Sequence, residues 1–254
     1  MQVFVVGAPR SGTTRIKTAI ADAMGLPRSG EGHFYPIARD LDAALDGYFD
    51  RWSGRAGERT MLRAVSRDEL RREIHAVVRR AFDAVAGTAF VEKTPGAEAI
   101  QALPMVVEQW PESKIVFVKR RGIENVISAL WKFPHWSFEG ACRNWTDAMS
   151  AWATLDRTIR QASIEVDQAE MAKHPETTAA RLGGYLRLSQ AQTAILAEAF
   201  TRRAHARVNR RVGSMAELQR DPIPLSSTSW TEEQRATFVE ICGGMMSAFG
   251  YRLE

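Results

Sequence analysis

The feature that most limits the fold of this chain lies at its start. The apolar run Val3-Phe4-Val5-Val6 passes without a spacer into a glycine-rich turn, Gly7 to Thr14, and then into a helical pattern carrying Ile16, Ala19, Ile20, Ala23 and Met24. A short run that is apolar at every position reads as a strand buried on both faces. Similar runs recur at wide spacing, at Ala89 to Glu92, Ile115 to Lys119 and Ile164 to Val166. With helical stretches between them, they predict an α/β architecture in which helices flank a central parallel sheet. One such stretch begins with Ser66 and Glu69, the spacing of a capping box, and carries Leu70, Ile74, Val77, Val78, Ala81 and Val85 as one apolar stripe of the kind a helix turns to a core. Residues 138 to 206 read as mostly helical, and Pro222, Pro224 and the run Ser226-Ser227-Thr228-Ser229 mark a loop before a last helix that starts near Glu232 and Glu233. No repeat, low-complexity tract or linker divides the 254 residues, so a single domain over 1–254 is expected.

The turn after the first strand carries chemistry. Gly7-Ala8-Pro9-Arg10-Ser11-Gly12-Thr13-Thr14 has the length and glycine placement of a P-loop, G-x-x-x-x-G-K-[ST], between a strand and a helix. The lysine that would reach the outer phosphates of a nucleoside triphosphate is replaced by Thr13, and a cation stands three places earlier as Arg10. Backbone amides at such a turn, with the positive end of the following helix, still make an anion cradle. The cradle is kept, and the triphosphate clamp is lost.

Charge adds placement rather than a partner. The 34 basic residues exceed the 30 acidic ones by four, and they interleave with acids, as in Arg67-Asp68-Glu69-Leu70-Arg71-Arg72-Glu73, which reads as a solvated helix face and not a nucleic-acid surface. Only six of the 34 are lysines, so Lys93, at the end of the second apolar run in Glu92-Lys93-Thr94-Pro95, stands out. Cys142 and Cys242 have no metal-ligand spacing and read as two reduced, packed thiols, and no metal is expected. No apolar run is long enough to cross a bilayer, and the first residues lack a basic leader, so the expectation is a cytoplasmic protein without stable membrane insertion.

Two segments resemble the sulfotransferases that use 3′-phosphoadenosine 5′-phosphosulfate (PAPS), with a motif pattern nearest to the bacterial and tyrosylprotein types. Pro9-Arg10-Ser11-Gly12-Thr13-Thr14 matches their P-[RK]-S-G-T-T loop throughout, and Ile115 to Lys119 leads into Arg120 with Ser128 eight residues on. The resemblance implies a P-loop-like sulfotransferase fold. In it Arg10, Ser11, Gly12, Thr13 and Thr14 hold the 5′-phosphosulfate, and Arg120 and Ser128 hold the 3′-phosphate. A guanidinium fork suits a phosphate, and a serine hydroxyl adds a donor. Many relatives have proline two residues after the arginine, where this chain has Gly122.

Sulfuryl transfer to a hydroxyl needs a proton acceptor and positive charge near the leaving oxygen. Gly30-Glu31-Gly32-His33-Phe34-Tyr35-Pro36 is similar to the G-E-E-x-x-x-x-P segment that supplies the base in tyrosylprotein sulfotransferases, which puts Glu31 first and leaves His33 as its rival. Lys93 resembles the lysine of an [EN]-K-[TD]-P segment that approaches the sulfuryl group, while Glu92 is expected to face away from it, because strand neighbours alternate. Arg207 to Val212 is loosely similar to a segment that brings a further cation to the nucleotide and points to Arg210, with Arg211 as its alternative. The R-K-G and G-x-x-G of many relatives are absent. Ile164 to Asp167 with His174-Pro175-Glu176, and the ending Phe249-Gly250-Tyr251, are similar to structural elements of the family. Trp131, Phe133 and Trp136 are candidates for a pocket wall, and Trp145 and Trp152 read as core.

The function these resemblances imply is transfer of a sulfuryl group from PAPS to a small-molecule, glycan or lipid hydroxyl. The competing readings are a P-loop kinase, which the loss of the lysine at Thr13 disfavours, and a nucleotide-binding module without catalysis, which the presence of both Glu31 and Lys93 disfavours.

Overall fold

The computed structural model describes residues 1–53, 55, 61–205 and 222–254. Its strands β1 (Gln2–Gly7), β2 (Phe90–Lys93), β3 (Lys114–Lys119) and β4 (Ile164–Asp167) form one sheet in the order β2-β1-β3-β4. Every pairing is parallel, with Val5 opposite Lys93, Gly7 opposite Val118 and Lys119 opposite Asp167. All four strands therefore end at the same edge. From β1 the chain moves outward to β2 and then returns past β1 to β3, so the winding reverses between β1 and β3. The crevice at such a switch point is where open α/β sheets bind ligands.

Helices cover both faces: α1 (Thr13–Met24), α2 (Ile37–Ser53), α3 (Arg67–Ala86), α4 (Ala97–Gln101), α5 (Leu103–Gln109), α6 (Gly122–Lys132), α7 (Phe138–Thr154), α8 (Arg157–Ala162), α9 (Gln168–Lys173), α10 (Pro175–Leu186), α11 (Gln190–His205) and α12 (Glu232–Ala248). Phe4, Val6, Phe90, Ile115 and Phe117 point to one face and pack with buried residues of α3 to α7 and α12. Val3, Val5, Val91, Val116, Val118 and Val166 point to the other, against α1, α9, α10 and α11. Burial on both faces is why the strands read as unbroken apolar runs. Trp145 and Trp152 are core, Trp152 stacking on Phe117 at 4.2 Å, and both free cysteines are buried. The last helix starts with a capping box of Thr231 and Gln234.

Helix α3 corrects the reading of its apolar stripe. Ser66 does accept the Glu69 amide at its start, but the buried residues are His75, Val78 and Phe82, whereas Val77 is 55% and Val85 92% exposed. Two contacts turn the helix. Phe82 joins an aromatic cluster, 4.9 Å from Phe90 and 5.6 Å from Trp110. His75 is held between Asp42 of α2 at 2.9 Å and Glu108 of α5 at 3.1 Å. Periodicity counts apolar residues, and it does not see a satisfied histidine or a waiting aromatic cluster. Phe82→Ala is accordingly expected to lower stability by about 3–5 kcal/mol, and Val85→Asp to leave it within about 0.5 kcal/mol, as read from urea unfolding midpoints. Equal losses would return the helix to the orientation expected from its stripe.

Candidate active site

The loop between β1 and α1 is built from both ends. Arg10 has φ 72 and Gly12, the N-cap of α1, has φ 99, so the backbone turns through the left-handed region twice in three residues. That conformation costs a residue with a side chain about 1–2 kcal/mol, and tertiary bonds hold it. The Ser11 amide donates to the Ala8 carbonyl at 3.1 Å, and Asn125 of α6 donates from Nδ2 to the Pro9 carbonyl at 2.9 Å and to Ser11 Oγ at 3.0 Å. Thr13 and Thr14 open α1, where backbone amides have no intrahelical carbonyl to meet.

The β3 end closes on this loop. Arg120 Nη1 donates to the Arg10 carbonyl at 3.1 Å, and Arg10 Nε donates to Ser128 Oγ at 3.2 Å. Residues 10, 120 and 128 thus meet at the β1/β3 switch. The Arg120 carbonyl accepts from Trp145 Nε1 at 2.9 Å. Its side chain is buried, makes no ion pair among the described residues, and leaves Nε without a hydrogen-bond partner among them. Burial pulls its pKa down to about 10, with Glu124 opposing and the neighbouring Arg10 adding to the fall. The adjacent Arg121 does different work. It binds Glu124 and the carbonyls of Ile223, Arg252 and Leu253, fixing the C-terminal segment behind the site. Tyr251 in that segment donates to Asp167 at the end of β4, at 2.6 Å.

A second cluster forms at the end of β2. Lys93, whose side chain is only 5% exposed, donates from Nζ to Glu31 Oε1, and His33 Nε2 donates to Glu31 Oε2 at 2.6 Å. The two rival base candidates are therefore bonded to each other, with Glu31 41% and His33 61% exposed toward solvent. Burial of Glu31 pushes its pKa up, but the hydrogen bonds and charges of Lys93 and His33 outweigh this and leave it below the ordinary carboxylate value. Glu31 is accordingly ionised at neutral pH.

A profile of the Sulfotransferase family matches residues 2–192. This chain belongs to the sulfotransferase family. The fold is similar to that of sulfotransferase STF9 from Mycobacterium avium, with TM-score 0.55 and 14% identity over all of this chain and 78% of that one. It is also similar to the sulfotransferase domain of the olefin synthase from Synechococcus PCC 7002, with TM-score 0.57 and 15% identity over all of this chain and 96% of that one. No curated protein matches the chain. At such identities the likeness extends to the fold, and roles for side chains must come from their geometry.

Within this sulfotransferase fold, Arg210 and Arg211 lie outside the described residues. Trp136 stacks on Phe133 at 4.6 Å and lines an open depression of about 260 Å³ with Ser137, Gly140 and Asn144, while Trp131 is exposed. No group of side chains suited to hold a metal occurs among the described residues, and no helix among them is long and apolar enough to cross a membrane. Sequence reasoning missed Asn125, which holds the loop, and Lys17, a buried lysine of α1 whose rarity was the available signal.

Glu92 accepts the Gly32 amide, and burial pushes its pKa up to about 7. The folded protein then holds this proton more tightly than the unfolded chain, whose carboxyl titrates near 4.5. This contribution to stability is therefore complete below pH 4.5 and is lost as pH rises to about 7, by at most about 1.4 kcal/mol per pH unit. Urea midpoints of wild type and Glu92→Gln at pH 5 and pH 7 check this. The variant should gain on the wild type as pH rises, and an equal gap at both values contradicts the shift.

Proposed function

We propose that this sulfotransferase moves a sulfuryl group from PAPS to a hydroxyl of a small-molecule, glycan or lipid acceptor. The observation that carries the reading is the meeting of Arg10, Arg120 and Ser128 at the switch point, with Arg120 Nε buried and without a partner among the described residues. A desolvated guanidinium is stable only if an anion or good hydrogen-bond acceptors satisfy it. Arg120 and Ser128 suit the 3′-phosphate, and the amides of Ser11, Gly12, Thr13 and Thr14 with Arg10 suit the 5′-phosphosulfate at a helix N-terminus. Thr13 in place of a lysine leaves no clamp for a triphosphate.

PAPS, when bound, supplies a sulfuryl group already joined to a phosphate leaving group. Glu31 accepts the proton of the acceptor hydroxyl as its oxygen bonds to sulfur. His33 orients the carboxylate from the solvent side through Nε2. Lys93 places positive charge where the sulfur–oxygen bond to the phosphate breaks, and the leaving oxygen keeps the electron pair. The Lys93–Glu31 bond keeps the base ionised before the acceptor arrives, and the exposed side of Glu31 and His33 leaves room for that acceptor.

Calorimetry should show tighter binding of adenosine 3′,5′-bisphosphate than of ATP with magnesium, and Arg120→Ala should weaken the bisphosphate by about tenfold or more, which is about 1.4 kcal/mol. Preference for ATP overturns the donor. With labelled PAPS and a panel of sugars, phenols and lipid head groups, Glu31→Ala should lower kcat by about 10²–10⁴-fold and Lys93→Ala by about 10²–10³-fold. Full turnover in both Glu31→Ala and His33→Ala removes the base assignment.

A further inference from the structure

We infer that Glu92, with Thr94 and Lys17, is a positioning latch that sets the base-bearing segment 29–33 over the end of β2. The three side chains are buried, Lys17 on α1, Glu92 on β2 and Thr94 just after it, and they meet four backbone groups of that segment. Lys17 Nζ donates to the Ser29 carbonyl and, at 3.0 Å, to the Gly30 carbonyl. Glu92 Oε1 accepts the Gly32 amide at 3.1 Å and the Thr94 hydroxyl at 2.6 Å. Thr94 Oγ1 accepts the His33 amide at 3.0 Å. Glu31, the residue between these anchors, is the one that reaches Lys93.

The fit is close. A Cβ on Gly32 would lie 2.6 Å from Glu92 Oε1, so a side chain there would have to push the carboxyl away from the Gly32 amide and the Thr94 hydroxyl that it accepts. His33 takes φ 48, a conformation that needs its neighbours to enforce it. The latch works with Glu92 ionised or protonated, since Oε1 accepts in both states, and the groups facing the carboxyl are Lys17 from α1 and His33 and Tyr35 from the segment above it. Oε2 and the Tyr35 hydroxyl are both buried without a hydrogen-bond partner among the described residues. Glutamine therefore fits the site, its amide replacing Oε2. Glu92 itself touches no reacting atom; it acts through the placement of Glu31 and His33.

The kinetic part of the inference rests on the proposed sulfuryl transfer, and the structural part does not. Hydrogen exchange on the full-length protein should show the Gly32 and His33 amides protected in wild type and freed in Glu92→Ala. Glu92→Ala should lower kcat about 10–100-fold, the scale expected for a base displaced by about 1 Å. KM for PAPS and the dissociation constant of adenosine 3′,5′-bisphosphate should stay within about twofold, because that cluster lies across β1. Glu92→Gln should restore both protection and kcat. Gly32→Ala should lower kcat in the wild type and add little in Glu92→Ala, where the clash is gone. Unchanged protection in Glu92→Ala, or a fall in bisphosphate affinity equal to the fall in kcat, overturns the latch. A wild type that transfers no sulfate while Glu92→Ala frees the segment overturns the functional reading and leaves the latch standing.

Discussion

A buried guanidinium that makes no ion pair among the described residues is the constraint around which the site is arranged. Removing an ion from water costs several kcal/mol even after relaxation, and Arg120 recovers part of that through the Arg10 carbonyl. Trp145 fixes its backbone from the core side, and Asn125 holds the loop to which it bonds. Two arginines in sequence divide the work: Arg121 is satisfied by Glu124 and three carbonyls, while Arg120 keeps a buried Nε without a partner among the described residues. We propose that an anionic ligand completes this arrangement.

The sheet supplies the rest of the geometry. Because all pairs are parallel, the turn after β1, the basic end of β3 and the Lys93 end of β2 share one edge, on either side of the central strand. The two clusters are thereby separated by the width of a strand. The arginine and serine cluster sits at the β1/β3 switch, and the Lys93–Glu31–His33 cluster sits beside it over β2. The Gly96 amide, bonded to the Gly7 carbonyl at 2.9 Å, ties the two sides together.

Much of this was legible in the residues, for physical reasons that also mark the limit. The strands announce themselves because both of their faces are dry, and the loop because its glycines and helix start are local. Arg120 and Ser128 are read through a family spacing, and their meeting with Arg10 follows once the sheet order is known. The face of α3 was not legible, because His75 takes a core position through two carboxylates contributed by other helices. Lys17 looks like the polar side of an amphipathic helix until the segment after α1 folds back and offers its carbonyls. Alternation along β2 is expected to turn Glu92 and Lys93 apart, yet it says nothing of a loop that crosses the strand's end and meets both side chains, at Gly32 and at Glu31.

We propose that the Arg10, Arg120 and Ser128 cluster is a phosphate site of a PAPS-type nucleotide. The most direct measurement is a crystal structure of the protein with adenosine 3′,5′-bisphosphate. Density for the 3′-phosphate is expected within hydrogen-bond distance of Arg120 and Ser128, and for the 5′-phosphate on the amides of Ser11 to Thr14. A bisphosphate bound away from the β1/β3 switch, or bound there with its phosphates clear of Arg120, would contradict it.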